Sequence, residues 1–321
     1  MQSVVGPEGQ YAAVGDFNGD GIPDVVVPDR FNFVSLALGR KDRNFPSPAV
    51  LHPSTVTSVS IGDINGDGLP EILVGGDLVN NIPGTVLLNK GNGSFQFAAN
   101  TDPTSFGLAD LSGKGVVDLL GGNYNLEIWP NNGTLNFSSS PITFLQQTAS
   151  VTVADMDGDG HADIISACEY GDCRGYIFYG NGSYQFTPVT VPHLSSPYVI
   201  GDFNGDGILD IVTGSAAFLN MGNRTQEVDI SSLPLGNGTL AAGDFNGDGR
   251  ADLAVGIMFS QQVCLLFNNG NGQFTRSFFA SGADAIALSA ADLNKDGKPD
   301  LAIGNFVLDS APPNVVVVFH K

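Results

Sequence analysis

The six residues Asp16–Gly21, DFNGDG, recur unchanged at Asp202–Gly207 and Asp244–Gly249. Close variants stand at Asp63–Gly68 (DINGDG), Asp155–Gly160 (DMDGDG) and Asp292–Gly297 (DLNKDG), and a degenerate copy, DLSGKGVVD, starts at Asp110. The first aspartates fall at 16, 63, 110, 155, 202, 244 and 292, in steps of 47, 47, 45, 47, 42 and 48 residues. A period in the forties suits a four-stranded propeller blade and also some helical repeats. The stretches between the loops separate the two. Each loop is followed by a short apolar run such as DVVVPD, EILVGG or DLAVGI, and then by a second such as TVLLNKGNGSF or GYIFYGNGSYQF. These runs favour Val, Ile, Leu and Phe and stop at Gly or Asn, which leaves no room for helices. The 42 glycines and 18 prolines fit many tight turns.

The expected fold is all-β: a seven-bladed β-propeller of four-stranded blades filling residues 1–321 as a single domain. The blades are placed at about 10–52, 57–100, 104–146, 149–193, 197–233, 238–280 and 285–321 plus 1–6. Each blade reads as strand A, polar loop, strands B and C, an Asn/Gly turn and strand D. The last blade ends on a C-type run, VVVVFHK, while MQSVV precedes the first A strand. The N-terminal strand is therefore expected to join the last blade and close the ring, leaving no terminal edge open.

The loop pattern is D-x-N/D-x-D-G-x-x-D/E. Side chains at positions 1, 3 and 5 converge when Gly at position 6 permits a sharp turn, position 7 offers a backbone carbonyl and position 9 closes the site. Hard oxygen donors in a flexible cage suit Ca²⁺ better than Mg²⁺ or Zn²⁺. The expected ligand sets are Asp16, Asn18, Asp20, Ile22 and Asp24; Asp63, Asn65, Asp67, Leu69 and Glu71; and Asp155, Asp157, Asp159, His161 and Asp163. The other three are Asp202, Asn204, Asp206, Ile208 and Asp210; Asp244, Asn246, Asp248, Arg250 and Asp252; and Asp292, Asn294, Asp296, Lys298 and Asp300. Solvated Asp-Gly turns are the alternative, but so many near-identical acidic loops would repel themselves without a cation. An EF-hand or dockerin loop needs an acid at position 12, where Val27, Val74, Ser166, Thr213, Val255 and Ile303 stand. The third copy puts Ser112 and Lys114 at ligand positions, so no Ca²⁺ is expected between Asp110 and Asp118, the ammonium standing in for the ion. Six ions would bring the formal charge of −20 to about −8.

These loops, with the following L-x-N-x-G-N-G-x-F, resemble the FG-GAP/VCBS repeats of integrin α-subunit propellers and of secreted microbial proteins. Integrin-style Phe-Gly and Gly-Ala-Pro flanks are mostly missing, which points to the VCBS-like branch. A whole chain of seven such repeats is also similar to lectin propellers of the Psathyrella velutina type, which bind N-acetylglucosamine between blades. The resemblance implies the fold and calcium; fold does not fix a ligand.

Antiparallel hairpins put the A–B loops and C–D turns on one face and the B–C turns and D–A links on the other. The second face varies from blade to blade, and loops on a rigid scaffold are the usual place for recognition. Its clear cations are Arg30 and Arg174, against Asp29, Asp77, Asp102, Glu169, Asp172, Asp284 and Asp309, so anionic glycans are disfavoured. A neutral sugar needs an aromatic platform, for which Tyr124, Tyr170, Tyr198, Phe31, Phe259 and Phe306 are candidates. The alternative for each ring is burial under its own turn.

Trp129 reads as core, as does Cys264. Cys168 and Cys173 flank the fourth B–C turn, as free thiols or as a local bridge that would favour an oxidising compartment. His52 and His193 lie on D–A links with no partner motif for catalysis. The net charge excludes nucleic acid and anionic membrane surfaces as partners, and no apolar run is long enough to span a bilayer. The opening MQSVVGPEGQ has no signal-peptide regions. The reading is a monomeric, extracellular, periplasmic or cell-surface module, without catalysis of its own, that binds neutral glycan through the face opposite the calcium loops or between blades. The alternatives are protein–protein adhesion, as in integrin heads, and a polysaccharide lyase-like enzyme.

Overall fold

The computed structural model describes residues 4–5, 13–29, 33–41, 49–53, 59–75, 83–101, 105–121, 125–135, 142–144, 150–167, 174–195, 198–214, 216–220, 225–229, 239–257, 259–270, 273–282, 284–306 and 314–318. After β1 (Val4–Val5), the first sheet holds β2 (Ala13–Gly15), β3 (Asp24–Asp29), β4 (Phe33–Ala37) and β5 (Ala49–Pro53). The second holds β6 (Val59–Gly62), β7 (Glu71–Val74), β8 (Thr85–Asn89) and β9 (Phe95–Asn100), and the third β10 (Ser105–Ala109), β11 (Asp118–Gly121), β12 (Leu126–Trp129) and β13 (Ile142–Phe144). The fourth holds β14 (Ser150–Ala154), β15 (Asp163–Ala167), β16 (Arg174–Gly180) and β17 (Phe186–Pro192), and the fifth β18 (Tyr198–Gly201), β19 (Asp210–Thr213), β20 (Ala216–Asn220) and β21 (Thr225–Asp229). The sixth holds β22 (Thr239–Gly243), β23 (Asp252–Ile257), β24 (Gln262–Asn268) and β25 (Phe274–Ala280), and the last β26 (Asp284–Ala291), β27 (Asp300–Phe306) and β28 (Asn314–Val318). Within every sheet these strands are antiparallel neighbours in chain order. No described residue is helical. The molecule is a seven-bladed β-propeller.

Stacking of blades explains why the B runs are apolar without alternation. Every residue of β7, β11, β15 and β19 is buried, because a neighbouring blade covers each face. The outer β17 and β25 are exposed along most of their length. Apolar clusters lie between consecutive blades. Phe17, Val26, Ile61 and Ile72 join the first to the second, and Met156, Ile165, Tyr198 and Ile211 the fourth to the fifth. Close approach needs a small residue at the end of strand A. A Cβ on Gly62 would come within 2.9 Å of both Val117 methyls of the next blade, and one on Gly201 within 2.8 Å of Ala251 Cβ.

Ring closure differs from the expectation. β1 does not extend the last sheet; Val4 pairs with Thr152 and Val5 with Val151, on the inner edge of β14 in the fourth blade. Three strands are described in the last sheet. Among the described residues the first and last blades meet through side-chain packing: Val25 and Val27 of the first contact Ala287, Leu293 and Ala302 of the last. The physical reason is that an innermost strand offers unpaired backbone groups to the central opening, where a passing segment can pair with them. Face-to-face burial between blades needs no added strand.

Candidate metal centres and the variable face

The polar loops are built by their own side chains. Asp16 accepts N–H bonds from Gly19 at 2.8 Å and Gly21 at 2.7 Å. Asn18 Oδ1 accepts from Asp20 N at 2.9 Å, and Asp20 Oδ1 from Ile22 N at 2.7 Å. Asp63, Asp155, Asp202, Asp244 and Asp292 likewise accept from the glycine at position 6. Leu69, His161, Ile208, Arg250 and Lys298 donate to the carboxylate at position 5. These bonds fold positions 1, 3 and 5 around one point, and oxygens that accept a single bond there, such as Asp16 Oδ1 and Asn18 Oδ1, keep a second lone pair. Positive-φ glycines at positions 4 and 6, such as Gly19 at 73° and Gly21 at 78°, make the turn possible.

The acid at position 9 does more than the pattern suggests. It is buried in all seven copies. One oxygen accepts from the backbone N–H of loop position 2: Phe17 to Asp24 at 2.8 Å, Ile64 to Glu71 at 2.9 Å, Met156 to Asp163 at 2.7 Å. The other accepts from the residue ending strand C or just beyond it: Gly39 to Asp24 at 2.8 Å, Gly180 to Asp163 and Asn220 to Asp210 at 2.7 Å. This carboxylate therefore ties the loop to strand C. Burial is the largest cause pushing Asp24, Asp163, Asp210 and Asp252 up to about 6 and Glu71 up to about 7, with the neighbouring loop carboxylates adding to it.

The donor set fits a cation. Carboxylate oxygens of Asp155, Asp157 and Asp159 lie within 4.8 Å of one another. Among the described residues, two buried oxygens at expected ligand positions, Asp252 Oδ2 and Asn294 Oδ1, have no well-formed hydrogen bond. Hard carboxylate and amide oxygens at this spacing suit Ca²⁺. The sixth loop carries its own competitor, since Arg250 pairs with Asp248 at 2.7 Å.

The third loop is different. Asp110 still accepts from Lys114 N at 3.1 Å and Gly115 N at 2.7 Å, and Asp118 from Leu111 N at 3.1 Å and Asn131 N at 2.8 Å. The Lys114 ammonium was expected to stand in for the ion, but it lies over the ring of Tyr184, 5.6 Å from its centroid. The group that reaches Asp118 is the Tyr184 hydroxyl, from the fourth blade, at 2.9 Å. Burial and the Asp118 carboxylate push that hydroxyl up to about 12, so it stays a donor.

The loops also stitch blades together. Gly93 N donates to Phe17 O at 3.2 Å, Val117 N to Asp63 O at 3.1 Å and Ala251 N to Asp202 O at 2.9 Å. Asn131, Asn220 and Asn268 donate side-chain N–H bonds to Ile64 O, Met156 O and Phe203 O of the preceding blade, at 2.7, 2.8 and 2.6 Å. These asparagines read in sequence as turn punctuation; their recurrence at the end of strand C was the available signal. Asp63, Asp110 and Asp155 line one cavity of about 540 Å³ with Leu108 and Val153, so three adjacent loops surround one opening.

On the opposite face, Tyr198 lies in the core, 1% exposed, its hydroxyl donating to Ile165 O at 3.0 Å. It presents no surface to a ligand. Phe259 is 86% exposed at φ 60°, on the turn between β23 and β24. The Ser260 hydroxyl donates to Ile257 O at 2.8 Å, and Gln261 N donates to Asp284 Oδ1 of the next blade at 3.3 Å. Phe306 ends β27. Tyr124, Tyr170, Phe31, Cys168 and Cys173 lie outside the described residues. Trp129 and Cys264 are buried. His193 is exposed at φ 61°, and His52 is in β5.

No curated protein matches the chain. Among solved structures it is similar to the BP39L lectin from Burkholderia pseudomallei, with TM-score 0.67, 15% identity, and 97% of this chain and 96% of that one covered. It is also similar to BBS1N in complex with ARL6DN, with TM-score 0.62, 14% identity, and 99% and 96% covered. One neighbour is thus a lectin and the other part of a protein complex, and at such identities both likenesses show the fold alone. The FG-GAP-like repeat matches residues 16–74, 110–166, 155–213 and 244–303, each span running from one polar loop through the next. On those matches, spread over more than half of its length, the chain belongs to the FG-GAP-like repeat family.

Proposed function

We propose that this propeller is a calcium-stabilised recognition module that binds neutral glycan on the face opposite its polar loops. Phe259 carries the reading. A bulky side chain at positive φ is strained, and here the turn holds that strain while presenting a bare ring to water. An apolar ring on the turn that also carries Gln261, whose backbone N–H bonds the Asp284 carboxylate of the next blade, offers a platform for a sugar's C–H face. The lectin neighbour supports the same use of the fold. Calcium, bound through positions 1, 3, 5 and 9 of six loops, supplies charge neutralisation and holds the scaffold. Such sites fill at extracellular calcium near millimolar, so the module belongs outside the cytoplasm, as a monomer.

A glycan array run in calcium, followed by calorimetry on each hit, tests this. Neutral-glycan binding that falls at least tenfold in Phe259→Ala, with the melting temperature unchanged, is the expected result; a blank array overturns it. Protein adhesion is the second reading. It is favoured by the half-exposed rings Phe97 (57%) and Phe278 (51%) on the outer strands β9 and β25, and by the BBS1N neighbour in its complex.

A further inference from the structure

We infer that in the third blade Tyr184 takes the place of the ion, making the joint between the third and fourth blades independent of calcium. The inference rests on the calcium reading of the other six loops. Tyr184 belongs to the turn between β16 and β17, which is closed by Asn181 N donating to Gln185 O at 3.2 Å. The equivalent turn of the second blade is closed by Lys90 N donating to Ser94 O at 3.0 Å. Counting from these bonds, Tyr184 falls where the second blade has Gly93, and both are left-handed, at φ 58° and 74°. A Cβ on Gly93 would lie 3.2 Å from Leu38 Cδ1 and 3.7 Å from Asn18 Cβ, both of the preceding blade and the second at position 3 of its loop. A side chain at this turn position thus projects toward the ion site of the blade before it.

Tyr184 follows that direction. Its hydroxyl bonds Asp118 at position 9 and lies within reach of the Ser112 hydroxyl at position 3, the two positions an ion would bridge. Lys114, where the other loops have a carboxylate, covers the ring face. Three changes from the pattern, Ser112, Lys114 and Tyr184, come from two different blades and meet at one point. A bulky residue in the left-handed region is tolerated there because the hydroxyl and the ammonium hold it.

Counting bound calcium by equilibrium dialysis tests the inference. The parent chain is expected to bind six ions. Ser112→Asn/Lys114→Asp, with Tyr184 in place, is expected still to bind six. Adding Tyr184→Gly is expected to raise the count to seven. A seventh ion in the parent, or a seventh gained by the double variant alone, overturns the inference. So does a triple variant that melts cooperatively yet stays at six. If the parent binds none, it is the calcium reading of the other six loops that fails. Tyr184→Phe supplies a second readout, with a lower melting temperature in EDTA and an unchanged calcium count expected; an unchanged melt overturns the pinning role of the hydroxyl.

Discussion

At the scale of single residues, the most informative group is the acid at loop position 9. Asp210 is fully buried, with Phe203 N on one oxygen at 2.8 Å and Asn220 N on the other at 2.7 Å. Asp210→Ala leaves two buried N–H groups without acceptors, an expected loss of about 2–4 kcal/mol in urea unfolding. A loss under 1 kcal/mol would mean that water replaces the carboxylate at that depth. Phe259 makes the opposite case. Glycine tolerates positive φ, so Phe259→Gly relieves a strain of about 1–2 kcal/mol and is expected to hold or raise the melting temperature while abolishing glycan binding. A protein that keeps its strain only for structure would lose stability instead. The pattern D-x-N/D-x-D-G-x-x-D/E marked the loops that join strands A and B of each blade. It did not show that position 9 reaches strand C, because that partner lies 10 to 17 residues away and is a backbone N–H with no sequence signature.

Among the elements, the close approach of consecutive inner strands decides stability. Gly62 ends β6 against Val117, which precedes β11, and Val117 N donates to Asp63 O in the same place. Gly62→Val overpacks this joint, for an expected loss of about 1–3 kcal/mol. Val117→Ala added to it is expected to recover part of that loss, read as a positive coupling in a double-mutant cycle. Additive losses would place the clash elsewhere. The strands were legible from short apolar runs ending at Gly or Asn. The pairing of β1 was not, since two valines carry no register information and any inner edge offers the same unpaired groups. The expectation that the N-terminus completes the last blade and so closes the ring rested on that blade's ending on a C-type run and on MQSVV standing before the first A strand. Among the described residues, packing of Val25 and Val27 on Ala287 and Ala302 joins the first blade to the last instead.

For the whole molecule, charge and ion binding are coupled through pH. Asp24, Asp163, Asp210 and Asp252 stand at about 6, above their ordinary 3.8, and Glu71 at about 7, above 4.5. A raised folded value means the native state binds more protons than the unfolded chain between those limits. The contribution is present below about pH 4 and is lost as pH rises through 6 to 7. In EDTA the melting temperature is therefore expected to fall between pH 5 and pH 7.5. On the calcium reading proposed above, the ion binds the ionised form and opposes that fall, adding about 2.7 kcal/mol per site at a hundredfold excess over Kd. The gap between calcium-loaded and EDTA-treated melts should widen over the same range; a gap that narrows, or none at pH 7.5, removes calcium from the scaffold.

By itself the sequence determined the number of blades, the order of strands within each and the positions of the acidic turns, because these follow from local periodicity and from polar residues at fixed short spacing. Only the tertiary structure decided which groups meet across blades: the Asn131, Asn220 and Asn268 staples, the burial of Tyr198, the exposure of Phe259 and the entry of Tyr184 into the third loop. Each depends on residues tens of positions apart. Their meeting is set by how blades stack, and stacking is driven by apolar burial that many sequences satisfy equally well.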